Sequence, residues 1–305
     1  MTPRTPGIPP NPQPHQSGIS EIPEIRRSKP DVCGLILAAG EGQRLRPLTT
    51  LTPKALCPVG NIPLLDRALT RLSALGLSGP DTAAVNAAYL APRIVEHVGA
   101  RAHLSVEPDG PLGTAGGVAR LRDWIAGRGV LIGNADGYLA DPARDPGKDI
   151  AALLDGWDGT TIRMLTKPVP PGATGGFSGR RFAGFSLLPW RWVRDLPATH
   201  GELVHLAWRP AEMAGELELI PYEGVYIDTG IPADYLRANL HAAAHGSLID
   251  PSAEVTGDVT NSVIGPRCTI RGTVTRCVLW PGAGVSAEEN LTAAIRAGSG
   301  LTVQV

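Results

Sequence analysis

The chain is poor in cysteine: four stand among 305 residues, at positions 33, 57, 268 and 277. They show no metal-ligand spacing and are too few to frame a disulfide-stapled fold. Cys33 lies in an apolar run and reads as a small buried side chain. The expectation is reduced structural thiols in a cytoplasm. Excess charge is also missing. Lys and Arg number 28 against 29 Asp and Glu, which argues against a nucleic-acid binder, whose affinity comes mostly from a basic surface. A site for a small anion needs only a few local cations and stays open. No apolar stretch approaches the ~20 residues of a membrane span. The opening MTPRTPGIPPNPQPHQSG has no apolar core after Arg4, so it does not read as a secretory signal.

What is present begins with an apolar fraction of 43%, enough for a sizeable core. The length admits one large domain and a smaller one. Residues 1–30 hold eight of the 29 prolines and little apolar content, and read as a disordered arm. From there VCGLILA (32–38) is a continuous apolar run of strand length, as in a buried parallel strand. Further strands are expected at 82–86, 103–107, 129–134, 161–166, 182–188, 217–220 and 224–228. Helices are expected at 62–76, 90–98, 115–126 and 232–243, the first with Leu64, Leu65, Ala68, Leu69, Leu72 and Leu75 on one face. Strands alternating with helices imply an α/β sheet covered on both faces over 31–245, with ligands beyond the carboxyl ends of its strands.

Residues 246–305 follow another rule. Stacking LIDPSAEVTGDVTNS (248–262), VIGPRCTIRGTVTRC (263–277) and VLWPGAGVSAEENLT (278–292) aligns Ile249, Ile264 and Leu279. It also aligns Val255, Ile270 and Val285, and places Ala253, Cys268 and Ala283 in one small-residue slot. Such a register implies three stacked β-coils, none able to bury its apolar row alone. The repeat resembles the left-handed parallel β-helix of hexapeptide-repeat proteins.

The segment GEGQRLRPLTTLTPK follows the first strand. It lacks the P-loop spacing GxxxxGK[ST], and with leucine at 45 it lacks GxGxxG. Gly40 and Gly42 still allow a nest of backbone N–H groups that binds anions, and Arg44 and Lys54 offer charge-assisted contacts to phosphate. A plain strand-to-helix turn with solvated cations is the competing reading of the glycines alone. The whole stretch LAAGEGQRLRPLTTLTPKALCPVGNIPLL, however, resembles the signature of sugar-1-phosphate nucleotidylyltransferases, (L)AAGxGxRLxPLTxxxPKxLxPVxxxPLL. The resemblance is dense here and looser over 32–243. Its guanylyltransferase members on mannose 1-phosphate often carry a C-terminal left-handed β-helix.

The resemblance implies a Rossmann-like, mixed but mainly parallel sheet and a defined reaction. A sugar 1-phosphate oxygen attacks the α-phosphorus of a nucleoside triphosphate, and pyrophosphate leaves. It implies a nucleotide cradle at Leu37, Ala38, Ala39, Gly40 and Gly42, with Arg44 on the β- and γ-phosphates. Lys54 would bridge the α-phosphate region and the sugar phosphate. Asp136 in LIGNADGYL and Asp228 in VYIDTGIPADY occupy the positions that hold one Mg²⁺, although a lone strand-end aspartate is more often a cap. EPDGPLGTAGGVARL (107–121) resembles the base-binding loop, with Pro111, Gly113 and Thr114 lining the base and Glu107 accepting from a base N–H; otherwise it reads as a glycine-rich helix start. That acceptor favours GTP. Asn86, Gly184 in FAGF, and Lys167 in TKPVPP fall at sugar-phosphate positions. Asn86 also reads as a turn former, and Lys167 lacks the glutamate of the usual EKP. The segment 167–181 is shorter than usual, which leaves the sugar open and matches short forms in muramic-acid-1-phosphate uridylyltransferases. Mannose 1-phosphate with GTP is the leading expectation, with uridylyl, adenylyl or thymidylyl transfer and a catalytically silent sensor as alternatives. An acyl-transfer role for the coils would need a histidine, and the last one is His245, before they begin. Coil edges with exposed backbone imply a homo-oligomer.

Overall fold

The computed structural model describes residues 31–298 and 300–305, together with Met1 and Thr2. The proline-rich arm expected over 1–30 therefore falls almost wholly outside the described residues.

The chain opens on β1 (Val32–Leu37), buried on both faces because its side chains alternate between two apolar layers. Ile36 joins one core, while Cys33 and Leu35 join the other. There follow α1 (Leu64–Ala74), β2 (Ala83–Ala87), α2 (Ala91–Val98), β3 (His103–Val106), α3 (Gly113–Arg120) and β4 (Gly129–Asn134). Then come β5 (Gly137–Ala140), β6 (Ile162–Pro168), β7 (Arg180–Leu188), β8 (Leu217–Pro221), β9 (Val225–Asp228) and α4 (Pro232–Ala242). Seven strands form one sheet in the order β8-β6-β7-β4-β1-β2-β3. All neighbours run parallel except β7, which is antiparallel to both β4 and β6. This is the α/β sheet expected from the alternation of strands and helices, and the mixed, mainly parallel Rossmann-like form that the resemblance implies.

Strand order reverses around β1. The chain first builds outward through β2 and β3, then returns to lay β4 on the other side. The two connections leave a crevice beyond the carboxyl ends of β1 and β4, where such sheets bind ligands. Register makes the crevice level: Leu37 pairs with both Asn86 and Asn134. β9 does not enter the large sheet; it pairs antiparallel with β5, with Asp228 opposite Gly137.

After α4 the chain becomes a three-sided parallel β-helix. Ile249, Ile264 and Leu279 stack in register on one side, and Val255, Ile270 and Val285 on another, as the repeat implies. The third side breaks the fifteen-residue period: Val259 pairs Val274, but Val274 pairs Leu291, two residues later than the repeat allows. The three expected coils also gain a fourth pass, Ala294–Ala297, which Leu301–Gln304 closes by antiparallel pairing. The coils share a core with the rest of the chain. Val263, Val278, Trp280 and Ile295 pack in one cluster with Leu45, Leu48, Val59, Tyr138, Ile227 and Tyr235.

Candidate active site

The loop after β1 is shaped by one glycine that nothing else can replace. Gly42 has φ +62°, and a Cβ there would lie 2.9 Å from the Thr49 methyl and 3.0 Å from Lys54 Cβ. Thr49 Oγ1 donates to the Gly42 carbonyl at 2.9 Å, and Leu45 N–H donates to it at 3.0 Å. The loop is thus folded back over the Lys54 stem, whose residue is only 6% exposed. The ammonium emerges at the sheet end, 2.9 Å from Asp136 Oδ2 and 3.6 Å from Asp228 Oδ1. Arg44 stands on the far side, exposed, with its guanidinium 3.7 Å from Asp228 Oδ2.

Asp136 and Asp228 lie far apart in sequence, and the β5–β9 ladder brings them together. Asp136 immediately precedes β5 and Asp228 ends β9, opposite Gly137. Thr229 fixes the junction, donating from Oγ1 to the Asp136 carbonyl at 2.7 Å. Both carboxylates are about half exposed and face one cation. Hard oxygen donors in that number suit Mg²⁺, which takes one or two carboxylates from the protein and completes its shell with water and phosphate oxygens. Among the described residues no three His, Cys, Asp or Glu side chains group into a fuller metal cage. Burial raises the Tyr226 phenol above its ordinary range, and the nearby Asp136 and Asp228 charges raise it further.

Two adjoining cavities make one groove. The first, about 350 Å³, is lined by Leu37, Ala38, Gly40 and Gly42 on the loop and by Arg44, Lys54 and Asp136. The second, about 250 Å³, shares Leu37, Gly40 and Asp136 and continues past Ala39 to Asn86, Pro111, Gly113 and Thr114. Most residues singled out in the sequence therefore meet in one place. Asp228, Glu107, Gly184 and Lys167 line neither cavity, although Asp228 meets Lys54 and Arg44 at the mouth of the first. Gly184, at φ +86°, leaves room for the Tyr226 ring, which would lie 3.3 Å from a Cβ there. The Lys167 ammonium donates to the carbonyls of Tyr222 and Gly224, each at 3.0 Å.

Asn86 and Glu107 are buried, at 1% and 2% exposure. Asn86 Oδ1 accepts from Ala38 N–H at 2.7 Å, and Asn86 Nδ2 donates to Glu107 Oε1 at 2.7 Å. The other Glu107 oxygen accepts from Leu112 N–H at 2.8 Å. Both groups tie the glycine loop to the start of α3. Glu107, expected to accept from a base, is buried, lies outside both cavities and frames the base loop in this structure.

The groove also has walls that sequence reasoning missed, His200 and Glu202. Their segment lies along the start of α3. Gly201 N–H donates to the Leu112 carbonyl at 3.0 Å, and Ala115 N–H to the Gly201 carbonyl at 2.9 Å. The close approach requires glycines on α3, since a Cβ at Gly113 or Gly116 would come within 2.4 Å of a carbonyl oxygen of this segment. The only sequence signal was a glycine between two polar side chains.

Thiol chemistry has no place here. All four cysteines are free and buried, and burial pushes Cys33 and Cys57 up to about 12, far from the range of a reactive thiolate.

Residues 33–150 match the family model described as Nucleotidyl transferase. That match takes in the glycine loop, Lys54 and Asp136 and ends before Asp228. Over 108 residues it is 38% identical to N-acetylmuramate alpha-1-phosphate uridylyltransferase of Neisseria meningitidis, covering 33% of this chain and 46% of that one. It is 32% identical over 130 residues to mannose-1-phosphate guanylyltransferase of Mycobacterium tuberculosis, covering 41% and 33%. A longer match, 27% over 237 residues, is to glucose-1-phosphate thymidylyltransferase of Streptomyces antibioticus, covering 67% and 64%. The chain thus spans less than two thirds of the length of each of these relatives. A solved structure from Bacillus anthracis, assigned as a glucose-1-phosphate thymidylyltransferase, superposes with TM-score 0.59 at 18% identity over 69% of this chain and 95% of that one. At that identity it bears on the fold alone.

Proposed function

We propose that the chain moves a nucleoside monophosphate from a nucleoside triphosphate to a sugar 1-phosphate, releasing pyrophosphate. The observation that carries this reading is the convergence of Arg44, Lys54, Asp136 and Asp228 at the mouth of the groove beyond β1 and β4. No protein nucleophile is required, because the acceptor brings its own phosphate oxygen. Catalysis then rests on alignment and on neutralising charge as the α-phosphorus is attacked.

Each residue has a part that follows from its place. The glycine loop approaches the triphosphate with backbone only. Arg44, exposed at the rim, takes the β- and γ-phosphates and the departing pyrophosphate. Lys54, held by its buried stem, keeps its ammonium at the α-phosphate and the incoming sugar phosphate. Asp136 and Asp228 hold Mg²⁺, which supplies further neutralisation of phosphate charge when bound. Before nucleotide arrives, the two cations and two carboxylates face one another. Pro111, Gly113 and Thr114 border the base, and Gly184 lies behind the Tyr226 ring, outside the groove lining.

The named relatives act with guanylyl, uridylyl and thymidylyl groups. Guanine, uracil and thymine all present a ring N–H, and among them we favour GTP with mannose 1-phosphate, the pair named for the Mycobacterium tuberculosis relative. The test is a matrix of nucleoside triphosphates against sugar 1-phosphates, scored by pyrophosphate. Failure of every pair would refute the proposal.

A further inference from the structure

The far end of the groove must read a base edge, and few of its polar groups are free to do so. Asn86 and Glu107 are buried and bonded to each other. Asp136 is bound to Lys54 at the phosphate end, and Asn134 ends β4 beside it. His200 is exposed at the rim. Thr114 Oγ1 is engaged twice, donating to Glu202 Oε2 at 2.7 Å and accepting from Leu203 N–H at 2.8 Å.

The side chains of Asn134 and His200 make no hydrogen bond among the described residues, so nothing holds them in place; Glu202 differs in being held at one oxygen and open at the other. Its recorded bonds both fall on Oε2, from Thr114 Oγ1 at 2.7 Å and Thr114 N–H at 3.2 Å. Among the described residues Oε1 receives no hydrogen bond. It stands 2.8 Å from where a Cβ on Gly113 would be, and Gly113 and Glu202 both line the cavity. One oxygen is therefore anchored by the protein while the other is left at the cavity wall. The anchor also fixes the rotamer, so the free oxygen keeps its position when the groove is empty.

Resting on the function proposed above, the geometry points to Glu202 as the residue that selects the base. Its Oε1 accepts a ring N–H, so the site favours guanine, uracil or thymine nucleotides over adenine and cytosine, which can donate to it only from an exocyclic amino group beside a repelled ring lone pair. Guanine N1–H and the N3–H of uracil and thymine are donors. Adenine N1 and cytosine N3 present lone pairs that a carboxylate repels. Glu202 is partly exposed in the empty groove, and an acceptor that a bound base covers without pairing discriminates more strongly than a change in shape.

Glu202→Gln separates the two oxygens chemically. The amide keeps an acceptor for Thr114 and replaces the free oxygen by a donor. The experiment measures kcat/KM for GTP, UTP, dTTP, ATP and CTP with an accepting sugar 1-phosphate, and the Kd of each nucleotide by calorimetry without sugar phosphate. Wild-type protein should rank at least one of the first three above ATP and CTP. Glu202→Gln should lose roughly 10–100-fold on the preferred nucleotide, in KM and Kd more than in kcat, and should gain on ATP or CTP relative to it. An equal loss on all five nucleotides would show that Glu202 only supports the loop, and would overturn the inference. So would a wild-type preference for ATP or CTP. If no pair releases pyrophosphate, the proposed reaction fails on its own, and the calorimetric ranking still decides the role of Glu202.

Discussion

Lys54 shows what one residue contributes here. Its aliphatic stem is packed beneath Gly42, and its ammonium faces two carboxylates. Replacement by methionine keeps the packing and removes the charge. Turnover should fall roughly 10²–10³-fold, as expected when one preorganised contact to developing charge is lost, while the thermal midpoint stays near wild type. A Lys54→Met enzyme with wild-type kcat would remove Lys54 from the reaction. At this scale the sequence was informative where chemistry depends on residue type: arginine, lysine and paired aspartates after strand ends. It was less informative where burial decides. Glu107 carries the right group for base recognition, but no motif reveals that Asn86 and Leu112 engage both its oxygens.

Among elements, the contact between α3 and the segment 199–203 governs the base end of the groove. The helix approaches so closely that a Cβ on Gly116 would lie 2.4 Å from the Thr199 carbonyl oxygen. Because that neighbour is backbone, Gly116→Ala must shift one element from the other. The expected cost is about 1–3 kcal/mol of stability, with a several-fold rise in KM for nucleotide that exceeds any change in KM for sugar phosphate. Equal Michaelis constants in variant and wild type would show that this contact does not shape the site. The central strands of the large sheet were legible because they are near-continuous apolar runs; β1 and β4 fall where VCGLIL and GVLIGN place them. β5 was not, since four residues cannot establish a period and its partner β9 lies far along the chain. The 199–203 segment has no periodicity at all. Its position is set by hydrogen bonds to α3, which become visible only once the chain has folded.

For the whole molecule, the question is what the coils do for the sheet. They were readable as coils because aliphatic columns repeat, although the two-residue insertion in the third coil and the closing hairpin were not. Their packing against the remainder was less legible. Trp280 Nε1 donates to Tyr235 Oη at 2.9 Å, joining the third coil to α4, which follows directly from the Asp228 strand. Removing residues 246–305 would strip Leu45, Leu48, Tyr235 and Leu236 of their cover. The truncated chain should aggregate or melt well below the full chain, as measured by soluble yield and calorimetry. A truncated chain with an unchanged melting temperature would contradict a shared core.

The central claim is that one groove joins a nucleotide to a sugar phosphate with two cations and two carboxylates. The most direct measurement is pyrophosphate release across paired nucleoside triphosphates and sugar 1-phosphates with Mg²⁺ present, run beside Asp136→Ala. The account predicts release with at least one pair, formation of the matching nucleotide sugar, and a loss of roughly 10²-fold or more in the variant. Release from no pair, or release undiminished by Asp136→Ala, would contradict it.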